Sequence, residues 1–110
     1  MGKLSRTKGV SFERWTATEL RQLWPEAKRG WQAREGTEQC DVEGTPYWVE
    51  CKRMKRVNVQ AAVLQAAADT DGRPILVVHR DDHKPAMVTM HLCDWLEAMG
   101  VRWTPKTQDH

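Results

Sequence analysis

The chain has 110 residues, 40% hydrophobic and 29% charged, with a formal net charge of +2. That length supports one core and one domain, and so small a charge does not by itself imply a nucleic-acid partner. No apolar run approaches the ~18 residues of a membrane span and no signal-type segment opens the chain, so a cytoplasmic protein with no membrane partner is expected.

Residues 1–9 carry Lys3, Arg6 and Lys8 without an apolar anchor and are expected to form a flexible basic arm ahead of a single domain over 10–99. Ser11 is the expected N-cap of a first helix running to about Leu23 and stopped by Pro25. At 100° per residue Phe12, Ala17, Leu20, Leu23 and Trp24 share one stripe, and Glu13 falls inside it. A carboxylate on a buried face requires a cation or a hydrogen-bond donor, which makes Glu13 a candidate site residue.

Lys28 to Gln32 reads as a short strand weakened by Gly30. The polar stretch from Ala33 to Cys40, which contains Arg34, reads as a mobile loop. Asp41-Val42-Glu43 is a second short strand, and Gly44-Thr45-Pro46 a turn. Tyr47-Trp48-Val49-Glu50-Cys51-Lys52 is a third strand, rich in aromatic and β-branched residues. The three are expected to form an antiparallel meander. Side chains alternate along a strand, so Glu50 and Lys52 share a face with Trp48. The next residues, Arg53-Met54-Lys55-Arg56, extend a cationic run from Lys52 that is suited to phosphate contacts.

Asn58 caps the expected second helix, which runs through about Thr70, carries Gln60 and Gln65, and ends at Asp71-Gly72. Its alanines allow close approach to a sheet. Ile75 to His79 is a continuous apolar run of buried-strand type. A charged turn, a strand from Met87 to His91, a short helix from Asp94 to Met99 and a frayed tail over 100–110 complete the order αβββαββα. A strand, crossover helix and buried strand imply a parallel pair, hence a mixed α/β sheet with helices on its faces.

Asp41 and Glu50 supply hard oxygen ligands of the kind Mg²⁺ takes, with Mn²⁺ able to substitute, and the Cys51 carbonyl can add another oxygen. Lys52 beside them suits orientation of an attacking water and stabilisation of phosphoryl charge. The three cysteines are odd in number and lack CxxC spacing, so reduced thiols are expected. A zinc site from His79, His83, His91 and Cys93 is the competing reading, but its spacing fits no standard pattern.

The arrangement of Asp41, eight intervening residues and Glu50-Cys51-Lys52 resembles the PD-(D/E)xK nuclease superfamily. Lys8-Gly9-Val10-Ser11-Phe12-Glu13-Arg14 resembles the opening of archaeal-type Holliday-junction resolvases and their phage relatives. The resemblance covers about residues 8–99. It implies a restriction-endonuclease-like fold, with Glu13, Asp41 and Glu50 as metal or water ligands and Lys52 as the catalytic lysine. Gln65 matches a glutamine often found near that site. Cys40 stands where the family often has proline, at a position that shapes the loop and is not a ligand. The implied activity is Mg²⁺-dependent cleavage of branched DNA by a homodimer, with Lys3, Arg6, Lys8, Arg34, Arg53, Lys55 and Arg56 as phosphate contacts. The alternatives are a related nuclease acting on nicked, flap or linear DNA, and a non-catalytic DNA-binding module.

Overall fold

The computed structural model describes residues 2–30 and 40–101, with side chains from residue 8 onward. Its elements are α1 (Gly2–Leu20), β1 (Lys28–Arg29), β2 (Val42–Glu43), β3 (Trp48–Met54), α2 (Val59–Asp69), β4 (Ile75–Asp81), β5 (Met87–Thr89) and α3 (Leu92–Ala98). The five strands form one sheet in the order β1-β2-β3-β4-β5. β1, β2 and β3 pair antiparallel, β3 and β4 pair parallel, and β5 returns antiparallel to β4. The protein is therefore a mixed α/β domain, as the αβββαββα order requires.

Alternation along the central strands divides the core into two layers. Val49, Leu76 and Val78 pack with Phe12 and Ala17 of α1. Trp48, Ile75 and Val77 pack with Ala62 and Ala66 of α2 and with Cys40. Ala62 and Ala66 are the buried positions of α2, which brings its backbone close to β3 and β4. The Asn58 side chain accepts the Ala61 amide at 3.0 Å, so this cap lies where its residue type places it.

Several boundaries depart from sequence expectation. Helix α1 begins at Gly2, so the backbone of residues 2–9 is helical where a flexible arm is expected. Nothing between Lys3 and Ser11 forbids a helix, and extending one costs less than nucleating another at a Ser11 cap. The side chains of Lys3 and Arg6 lie outside the described residues. At its other end α1 stops at Leu20, short of Leu23. Gln22 and Leu23 donate to carbonyls three residues back, tightening the last turn and rotating Leu23 into solvent.

Strand β1 is two residues long, and the rest of that expected strand, the loop containing Arg34 and the tail beyond Val101 lie outside the described residues. β5 ends at Thr89, and α3 starts at Leu92, where Asp94 was the expected start. Among the described tryptophans only Trp48 is buried. Trp15 stacks on Phe12 with ring centroids 5.7 Å apart and keeps one face in water. No α3 residue is buried, and Leu92, Trp95 and Met99 are exposed.

Candidate active site

Strand β2 pairs with β3 at Val42 and Val49 and goes no further in the direction of Cys51. Asp41 sits at this fork. Its amide donates to the Val49 carbonyl at 2.8 Å, and its carbonyl accepts the Gly30 amide at 2.7 Å. Its Oδ2 accepts the Cys51 amide at 2.8 Å, taking the place of the missing strand partner. Gly30 makes the grip possible, because a Cβ there would collide with the Cys40 carbonyl. Gly44, at φ +84°, lies equally close to the Glu26 carbonyl and completes the turn after β2.

The next residues on β3 supply Glu50 and Lys52. Glu50 is buried on the α2 face, and its Oε1 accepts the Trp48 indole N–H at 3.1 Å. Lys52 Nζ lies 3.4 Å from Gln65 Oε1 on α2, so one of the two glutamines of that helix meets the lysine. Lys52 and Gln65 line a groove of about 450 Å³ with Gly9, Arg53, Asn58 and Ala62. In the parallel register Lys52 stands opposite His79, a buried histidine whose Nε2 is 2.8 Å from Thr89 Oγ1. Burial pushes the His79 imidazole below its ordinary range, with Asp81 opposing.

Electrostatics single out Asp41. Burial pushes its carboxyl up to about 7; the Cys51 amide and Lys52 oppose the rise, while Glu50 and Glu13 add to it. Glu50 and Glu13 are therefore both near enough for Asp41 to feel their charge. The Cys51 thiol is raised well above its usual range by burial first and by Asp41 next. Glu13 approaches from the α1 layer, and its Oε1 is held by Arg29 Nε at 2.9 Å. This ion pair meets the need for a partner that its position on the helix implies.

Among the described residues no group of three or more His, Cys, Asp and Glu side chains is placed to hold a metal ion. Glu13 is paired with Arg29. Two carboxylates remain, with the Cys51 carbonyl directed toward the same open strand edge as its amide. That donor set still suits Mg²⁺, which is commonly held by one or two carboxylates and completes its shell with water and phosphate oxygens. A raised Asp41 carboxyl beside Glu50 is also the electrostatic condition that a cation relieves. The zinc alternative is not assembled: His79 bonds Thr89, and His91 Nδ1 lies 3.8 Å from Asp94.

The expected phosphate contacts divide. Lys55 and Arg56 are exposed and line a second groove with Asp82 and His83. Lys8 and Arg53 instead face Asp82, at 3.0 Å and 3.6 Å. The partners His79, Arg29 and Asp82 could not be read from sequence, since each depends on strand register or on contacts between distant segments. The Trp48 to Glu50 bond could have been, from their two-residue spacing on one face.

No helix among the described residues is long and apolar enough to cross a membrane. Comparison with protein-family models, with curated proteins and with solved structures returned no match.

Proposed function

We propose that the protein is a metal-dependent endodeoxyribonuclease of PD-(D/E)xK type, acting on branched DNA in the cytoplasm of a bacterial or phage-infected cell. The observation that carries this reading is the fork at Asp41. The Asp41 carboxylate is bonded to the Cys51 amide between Glu50 and Lys52, and Lys52 reaches Gln65. An ordinary surface ion pair would need neither the buried Glu50 nor the raised Asp41 carboxyl.

Asp41, Glu50 and the Cys51 carbonyl would hold Mg²⁺, which when bound supplies charge neutralisation at the phosphate and a more acidic water. The residues of the chain do the rest. The Trp48 indole fixes the rotamer of Glu50. Gln65 holds the Lys52 ammonium at the mouth of the groove, where it orients the water and stabilises the charge that builds on the phosphoryl oxygens. Glu13, positioned by Arg29, adds negative potential at Asp41.

Two symmetry-related cuts in a four-way junction call for a twofold dimer. The exposed apolar residues Leu92 and Trp95 of α3 and Met99 at its C-cap suit such an interface. The test is incubation with labelled four-way junction, flap, duplex and single-stranded DNA, with Mg²⁺ or EDTA, alongside Asp41→Asn. Mg²⁺-dependent cutting that favours the junction and disappears in Asp41→Asn is expected. Cutting of linear DNA alone would replace the substrate, and no cutting of any DNA would overturn the enzyme reading.

A further inference from the structure

Within the cationic strip beside the groove, one carboxylate is bound by two of the cations. Lys8 Nζ meets both Asp82 oxygens, at 3.1 and 3.0 Å, although the residues are 74 apart in the chain. Arg53 Nε lies 3.6 Å from Asp82 Oδ1, and this buried nitrogen has no hydrogen-bond partner among the described residues. The Asp82 amide donates to the Met54 carbonyl at 2.9 Å, which fixes the carboxylate against the end of β3. Arg53 lines the groove that contains Gly9 and Lys52, and Asp82 lines the one that contains Lys55, Arg56 and His83.

We propose that Asp82 is a built-in substitute for a nucleic-acid backbone phosphate, holding Lys8 and Arg53 as a phosphate site that an incoming strand must take over. The inference rests on the nuclease reading for its partner. A carboxylate and a phosphate present the same anionic oxygens to an ammonium and a guanidinium. The long Arg53 contact and its unpaired nitrogen mark an arrangement that Asp82 fills only in part, and a larger anion with more oxygens can complete it. The same ion pair ties α1 to the turn after β4, so displacement of Asp82 would also release α1 from that turn. Contacts that start out neutralised weaken every non-specific encounter, so that only a strand seated in both grooves recovers the full attraction.

The test is binding of labelled four-way junction and duplex DNA in EDTA, across a series of salt concentrations, by wild type, Asp82→Asn and Lys8→Gln. Asp82→Asn should bind several-fold more tightly at low salt, with log K against log salt steeper by about one, as each added phosphate contact contributes ~0.9. It should also melt at a lower temperature, because the tie between α1 and the turn is lost. Lys8→Gln should bind more weakly with a shallower slope, and adding Asp82→Asn to it should restore less than Asp82→Asn gains alone. A simple structural tether would lower stability with binding unchanged or weaker, and that result overturns the inference. Asp82→Ser serves as the neutral variant should Asp82→Asn not fold. Cutting in Mg²⁺ without tighter Asp82→Asn binding defeats this inference alone. Tighter binding by a protein that cuts nothing defeats the nuclease reading alone.

Discussion

Lys52 Nζ and Gln65 Oε1 lie 3.4 Å apart, joining β3 to α2 at the mouth of the groove. The contact gives a conspicuous helix glutamine a definite partner. Lys52→Ala should lower the cutting rate about 10²–10⁴-fold, the range for loss of a positioned proton-transfer or charge-stabilising group. Gln65→Ala should cost far less, about tenfold, because the ammonium survives and only its aim is relaxed. Single-turnover rates with saturating enzyme separate these effects from binding, which both variants should largely retain. Equal losses would mean that Gln65 does more than hold the lysine.

The raised Asp41 carboxyl couples the site to pH in two ways. Its folded value of about 7 lies above the ordinary 3.8. The stability it contributes is therefore fully present below about pH 4 and is lost as pH rises through 7, by up to ~4 kcal/mol if it acted alone. Asp41→Asn keeps an oxygen for the Cys51 amide and removes the charge. It should be more stable than wild type at pH 8, with a flatter dependence of melting temperature between pH 4 and 7. Mg²⁺ should stabilise wild type above pH 7 and stabilise Asp41→Asn much less. Since cation and proton compete for the same carboxylate, the acidic limb of the activity profile should move to lower pH as Mg²⁺ is raised.

Gly30→Ala should destabilise the fold by about 2–3 kcal/mol, since the new methyl meets the Cys40 backbone, which cannot yield as a side chain would. The displaced backbone belongs to the neighbour of Asp41, so cutting should fall by more than the lost stability explains. Chemical denaturation and cutting rates below the unfolding transition measure the two separately. Gly9→Ala is the contrast: its Cβ meets nothing among the described residues, and the helix should gain up to ~1 kcal/mol.

Trp95 on α3 and Met99 at its C-cap are 47% and 62% exposed, and the helix has no buried residue. Changing both to serine should leave monomer stability within about 0.5 kcal/mol while converting a dimer to monomers. Sedimentation equilibrium with and without junction DNA measures this. A wild type that is monomeric in both conditions would remove the dimer from the functional reading.

The sheet and the grouping of Glu50 with Lys52 were legible because both rest on short periods. Two-residue alternation puts Trp48, Glu50 and Lys52 on one face, and the apolar run at Ile75 announces a buried strand. The Asn58 cap was legible for the same local reason. The start of α1 was not: a good cap residue at Ser11 competes with a helix already under way, and local preference does not decide between them. The Glu13 to Arg29 and Lys8 to Asp82 pairs join residues 16 and 74 positions apart and become visible only once the layers are stacked. Glu13 was thus identified as a half-buried acid in need of a partner, while the partner itself was beyond local reading.

The bond from the Cys51 amide to Asp41 turns the site into its own indicator. An amide proton aimed at a carboxylate resonates at a position set by that carboxylate's charge. The fork leaves this one proton of β3 bonded to a side chain where a neighbouring strand would otherwise hold it. Its resonance therefore reads the charge state of Asp41 directly, without a ligand, a label or a substrate. On the nuclease reading, the acid on which the chemistry turns has, one hydrogen bond away, a backbone signal that tells whether it is ready to act.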